Sequence, residues 1–226
     1  MPGPPLICHD PRVSSANLYE THVTVRCAGP EESERLDRWA ASAGLKLTHI
    51  VLARGRMREQ PMLTLTGSAS YADERARAAR VAARLRRDGF EPVRVKIECA
   101  PWAPEVPGES GDDGGEGGDG GRYFEHHVKL LLGADADLDA LAARVAPHGA
   151  HLSWNARRVR GGGRHERFVT QRCHGGDAEG AGRALDRLLA ELDGSDVLSV
   201  EREFVLHDSD VSVDDGWLDE TAGVRG

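Results

Sequence analysis

The sequence predicts an α+β chain in which one unit, ordered strand, helix, strand, strand, helix, strand, is written twice. Three observations predict it. Segments of the two halves match at near-constant offsets, a stretch with eight glycines in fourteen residues (Gly108 to Gly121) separates them, and each half mixes period-two runs with helical stripes. TyrGluThrHisVal (19–23) falls on PheGluHisHisVal (124–128) at an offset of 105, and LysLeuThrHisIleVal (46–51) on HisGlyAlaHisLeuSer (148–153) at 102. MetLeuThrLeu (62–65) falls on PheValThrGln (168–171) at 106, and ValLysIleGlu (95–98) on ValGluArgGlu (200–203) at 105.

The elements follow in order. From Tyr19 to Cys27, Tyr, Thr, Val, Val and Cys alternate with Glu20, His22, Thr24 and Arg26, the period of a half-buried strand. Pro30, Glu31 and Glu32 open a helix with Leu36, Trp39, Ala40 and Ala43 as its stripe, and Gly44 closes it. Strands at 45–53 and 62–66 flank an arginine-rich hairpin. A second helix starts near Ser70 to Asp73, carries Ala78, Val81, Ala82 and Leu85, and stops at Gly89. Val93, Val95, Ile97 and Cys99 then alternate with Arg94, Lys96 and Glu98. The second half repeats the pattern, with helices around Leu138, Leu141 and Val145 and around Leu185, Leu188 and Leu192.

This order is that of the ferredoxin-like fold, an antiparallel sheet with both helices on one face. The expected organisation is a ferredoxin-like module over 15–102, an acidic Gly-rich flexible linker over 103–121, a second module over 122–207, and an acidic extension over 208–226 that Trp217 and Leu218 dock onto the body. The net charge of −8 is concentrated in the linker (−6) and the extension (−5), which leaves the body slightly basic and open to anionic ligands. No run approaches the roughly 18 apolar residues of a membrane span, and the opening residues lack a secretory pattern, so a cytoplasmic protein without a membrane partner is expected. Four separated cysteines indicate neither a disulfide framework nor a zinc knuckle.

Alternation also sorts the polar residues. The face not covered by helices carries Glu20, His22 and Thr24, then His49, Thr64, Arg94, Lys96 and Glu98 in the first half. In the second it carries Glu125, His127, His151, Ser153, Thr170, Arg172 and Glu203. In this fold strand four lies beside strand one, so Glu20, His22 and Glu98 become neighbours, as do Glu125, His127 and Glu203. A carboxylate two residues from a histidine shares its side of the strand and can orient the imidazole for acid–base work, which makes Glu20, His22, Glu125 and His127 the candidate catalytic set. The same histidines, His22 and His127, are candidates for a divalent metal.

Arg54, Arg56, Arg157 and Arg158 in the two hairpins, with His151, Thr64, Thr170, Glu98 and Glu203, form the candidate substrate-binding set, because guanidinium forks suit phosphate and carboxylate groups. The reading is a protein that binds a small anionic molecule, phosphorylated or carboxylated, in a polar cleft between the modules, and that turns it over by His/Glu acid–base or metal-assisted chemistry. The alternative is a non-catalytic effector-sensing or assembly module, with which a homo-oligomer is compatible. Aromatic residues, 5% of the chain, are too sparse for a nucleic-acid stacking platform. HisValThrVal (22–25) and HisLeuSerTrp (151–154) each resemble the His, apolar, Thr or Ser, apolar motif of the two-histidine phosphoesterases, a resemblance that implies a two-lobed protein acting on cyclic or RNA phosphates. The offsets, however, set His22 against His127 and not His151.

Overall fold

The computed structural model describes residues 18–107, 121–157 and 163–217. Strands β1 (Tyr19–Arg26), β2 (Lys46–Leu52), β3 (Glu59–Thr66) and β4 (Glu91–Cys99) alternate with helices α1 (Pro30–Ser42) and α2 (Tyr71–Arg87). Strands β5 (Tyr123–Leu132), β6 (Ala150–Asn155), β7 (His165–His174) and β8 (Val197–Asp208) follow, with α3 (Leu138–Val145) and α4 (Ala178–Glu191) between them. The local signals act where the sequence places them. Ser70, Asp137 and Asp177 accept backbone N–H groups of Asp73, Ala140 and Gly180 to cap three helices, while Pro30 starts α1.

The tandem of ferredoxin-like modules expected from the sequence is overturned by the strand pairing. All eight strands form one closed antiparallel barrel in the order β1-β3-β2-β6-β7-β5-β8-β4. Two seams close it. At one, Ile50, Val51 and Leu52 of β2 pair with Asn155, Trp154 and Ser153 of β6. At the other, β4 pairs with the far end of β8, from Lys96 opposite Asp208 to Cys99 opposite Phe204. Strand β8 is twelve residues long, so after pairing with β5 it runs on to reach β4. Edge strands leave rows of unpaired N–H and C=O groups; closure satisfies them on both sides. The matching offsets therefore do not correspond to two ferredoxin-like sheets, each with an open face; the faces expected to be open line the barrel interior.

Apolar side chains point outward, under the helices. Val23, Val25, Leu63 and Leu65 pack with Leu36, Ala40 and Leu85 of α1 and α2, and Val128, Leu130, Leu152 and Val169 pack with Leu141, Val145, Leu185 and Leu188 of α3 and α4. A third cluster, Tyr19, Cys99, Ala103, Phe124, Phe204 and Leu206, lies by the β4–β8 seam. It includes Ala103 and touches Val106, and the Tyr19 hydroxyl donates to Glu105 at 2.8 Å, so the first residues of the expected linker are packed on the barrel. The Gly-rich remainder, 108–120, lies outside the described residues. Among the described residues no helix is long and apolar enough to cross a membrane.

Candidate functional site

The inward faces surround a space of about 190 Å³, lined by Glu20, His22 and Thr24 of β1, Thr64 of β3, Arg94 and Lys96 of β4, Glu125 and His127 of β5, Thr170 and Arg172 of β7, and Glu203 of β8. Register explains the convergence. Glu20 lies opposite Glu98 and His22 opposite Thr64, just as Glu125 lies opposite Glu203 and His127 opposite Thr170.

Each histidine is therefore held the same way. His22 Nε2 lies 3.1 Å from Glu98 and 3.4 Å from Glu20, and its Nδ1 is hydrogen-bonded to the Thr64 hydroxyl at 3.2 Å. His127 Nε2 lies 3.2 Å from both Glu125 and Glu203, with Nδ1 hydrogen-bonded to the Thr170 hydroxyl at 3.0 Å. Thr64 and Thr170, placed in the candidate substrate-binding set by the sequence, line the interior and set the ring orientation. Burial disfavours charge on both rings, but the flanking carboxylates outweigh it: Glu98 raises His22, and Glu125 with Glu203 pushes His127 up to about 10. Both imidazoles gain protonated character. Burial raises the Glu98 and Glu125 carboxyls in turn, yet Lys96 and His22 hold Glu98 down at about 2, and Lys96, Arg172 and His127 hold Glu125 well below the usual carboxylate range. Glu203 behaves oppositely. Burial and the Glu98 charge push it up, against the pull of His127.

Lys96 joins the two clusters. Its ammonium lies 2.5 Å from Glu98 and from Glu125, so a continuous chain runs Glu20, His22, Glu98, Lys96, Glu125, His127, Glu203 across the interior. The arrangement decides how the residues suit a metal. Ligand atoms of Glu98, Glu125 and His127 lie within 4.8 Å of one another, but the ammonium already supplies the positive charge between the two carboxylates. A divalent ion would have to expel it. Manganese is accordingly expected to leave the thermal midpoint of the wild-type protein unchanged and to raise that of Lys96→Ala by about 2–4 °C, the shift that roughly 1 kcal/mol of binding gives a chain of this size. A comparable rise in the wild type would refute this account of Lys96.

The far end of the interior is closed by acids that sequence reasoning placed in a solvated extension. Arg94 donates to Asp208 at 2.8 Å through Nε and again through Nη2, and to Asp214 at 2.7 Å through Nη1. Arg172 donates to Glu125 at 2.6 Å and to Asp214 at 2.7 Å, and Gln60 donates to the other oxygen of Asp214 at 2.7 Å. Trp217 is 4% exposed, rests against His151 at 5.3 Å between ring centroids, and donates from Nε1 to the Leu152 carbonyl at 3.3 Å. No sequence signal singled out Asp208 or Asp214, which sit in an acidic run that reads as solvated.

The hairpin arginines have other partners. Arg54 donates to the Trp217 carbonyl at 3.3 Å, and the Arg56 backbone N–H donates to the Asp215 carbonyl at 2.7 Å. Both hold the chain's own C-terminal segment. Arg157 pairs with Asp37 of α1 at 2.8 Å, on the outside of the barrel, and Arg158 lies outside the described residues. His49 also faces outward, 3.4 Å from Glu59, because Lys46, Thr48, Ile50 and Leu52 take the inward positions of β2. His22 and His151, which carry the phosphoesterase-like motifs, meet different partners: Glu20, Glu98 and Thr64 for the first, Trp217 for the second.

No protein-family model matches the chain, and no curated protein matches it either. Among solved structures it is similar to an anthrone oxidase-like protein, with 13% identity, a TM-score of 0.28, and coverage of 88% of this chain and 97% of that one. A dye-decolorizing protein from V. cholerae gives 9%, 0.25, 85% and 94%. Chlorite dismutase from Candidatus Nitrospira defluvii in complex with imidazole gives 14%, 0.28, 85% and 92%. Likeness this loose carries no argument about chemistry.

Proposed function

We propose that the barrel binds a small polar molecule in its interior and moves a proton to or from it, with His127 and Glu203 as the acid–base pair and His22 with Glu20 as its counterpart. The observation that carries this reading is the double clasp: two imidazoles, each oriented by a threonine and gripped by two carboxylates, facing one interior space. His127 and Glu203 side chains are each 22% exposed, so they are reachable from the end where Lys46 and Glu201 stand in solvent. The shifts of their proton affinities suit opposite roles. A raised imidazole is a proton donor near neutrality, and a raised carboxyl is a better acceptor than an ordinary glutamate. The interior space of about 190 Å³ suits a small metabolite. Arg94, Lys96 and Arg172 are already paired, so the expected preference for an anion requires that one of the resident carboxylates give way.

The test is an NMR titration of the histidine side chains with acetate, glycolate, phenol and inorganic phosphate. At least one probe is expected to shift the His127 resonances, and Glu203→Gln is expected to weaken that binding about tenfold. Probes that bind but leave both His22 and His127 unmoved would sink the proposal. The closure of one end by the chain's own tail favours the second reading, a non-catalytic sensor, which the same titration supports if ligands bind and no bound probe exchanges protons with solvent faster than the free probe does.

A further inference from the structure

The geometry points to a carboxylate-binding site at the closed end of the barrel that Asp214 occupies in cis, so that the segment 209–217 acts as a displaceable strap over the interior. This rests on the interior being a ligand site. Three donors from separate strands converge on the Asp214 carboxylate: Arg94 Nη1 of β4, Arg172 Nη2 of β7 and Gln60 Nε2 of β3, each at 2.7 Å. Two guanidinium groups and an amide directed at two oxygens form a receptor for a free carboxylate. The occupant comes from outside the barrel wall. After β8 ends at Asp208 the chain makes one short 3-10 turn, Val211–Asp214, and of the strap's side chains only Val213, Asp214 and Trp217 are buried.

Besides Asp214 the strap is held by the buried Trp217, which donates to the Leu152 carbonyl and lies against His151, by Ser209 bonded to the Val95 backbone, and by the β2–β3 hairpin. The β2–β3 hairpin holds it through Arg54 to the Trp217 carbonyl, the Arg56 N–H to the Asp215 carbonyl, and the Arg56 guanidinium to Ser212 at 3.3 Å. Gly55 sits under it with φ +116, where an added Cβ would stand 3.1 Å from the Trp217 nitrogen. Only a glycine permits this approach. Because Asp208 stays with Arg94 and Glu125 stays with Arg172, withdrawal of Asp214 leaves each guanidinium one partner and vacates a single negative charge. A ligand monoanion restores it. The chemical class is thus a small carboxylate, whose other end extends along the interior toward His127.

Three full-length variants test this, with acetate as probe and chloride at equal ionic strength as control. Asp214→Ala is expected to gain at least about 3 °C in thermal midpoint with acetate over chloride, while the wild type gains less than about 1 °C because the tethered carboxylate competes at high effective concentration. Asp214→Asn keeps the shape, and Gly55→Ala leaves every interior charge in place. Both are expected to raise acrylamide quenching of Trp217 at least twofold, judged against the same variants carrying Trp217→Phe. If Asp214→Ala and the wild type respond equally to acetate, or if Trp217 stays as protected in Asp214→Asn and Gly55→Ala as in the wild type, Asp214 is a fixed structural partner and the strap is overturned. Probe-induced shifts at His127 without any effect of these variants would leave the proposed function standing and remove only this inference.

Discussion

Replacing Arg94 with methionine is expected to remove about 3–5 kcal/mol of stability, the loss typical of stripping one partner from a buried ion pair. Arg94 is 5% exposed and binds both Asp208 and Asp214, with the Tyr123 hydroxyl 3.3 Å away. Methionine replaces the volume but leaves two carboxylates inside a closed barrel with one fewer cation. They must then take up protons or draw water in. Adding Asp208→Asn should recover part of the loss, because removing both members of a coupled pair is less damaging than removing one. Arg26→Ala provides the contrast. That guanidinium faces Glu91 at 3.3 Å on the surface, and its loss should cost less than about 1 kcal/mol. Urea denaturation of the three variants decides the matter. An Arg94→Met loss no larger than that of Arg26→Ala would mean that the buried network contributes nothing net.

The second large effect is a fall in stability on the alkaline side. The folded His127 imidazole is pushed up to about 10 against an unfolded value of about 6.5, so its contribution is fully present below pH 6.5 and is lost as pH rises through 10. His22 shifts in the same direction. With the partial solvent access of His127 taken into account, the loss should be on the order of 3 kcal/mol across that window. Glu203 adds a loss of the same sign at lower pH, since a carboxyl raised in the folded state costs stability once pH passes its unfolded value near 4.3. The acid side runs the other way. Glu98, held at about 2, and Glu125, Asp208 and Asp214, all lowered, contribute above the ordinary carboxylate range and lose that contribution as pH falls toward 2. Maximal stability is therefore expected between about pH 4.5 and 6.5. Denaturation curves of the wild type and His127→Asn across this range measure it. An unchanged alkaline slope in the variant would show that His127 is not the titrating group.

The residues that share the interior were readable from alternation alone. Glu20, His22 and Thr24 fall on one side of β1 because a strand has period two, and the Glu20–Glu98 and Glu125–Glu203 neighbours follow from antiparallel register. Helix ends were equally local, as at Ser70 and Pro30. Strand β2 shows where this fails. LysLeuThrHisIleValLeu mixes apolar and polar residues without a clean period, so polarity points His49 inward, whereas Thr48 and Ile50 hold that face.

Sequence by itself thus determined the strands, the helices and the polar chemistry of most of the inward face, since these depend on residues one to four positions apart. Tertiary structure alone decided that the sheet closes, because the β2–β6 and β4–β8 seams are made by backbone N–H and C=O groups that every residue but proline carries. It also decided the fate of Asp208 and Asp214. An acidic run reads as solvated until a cation is brought to it, and the cations that bury these carboxylates, Arg94 and Arg172, lie from 42 to 120 positions away along the chain.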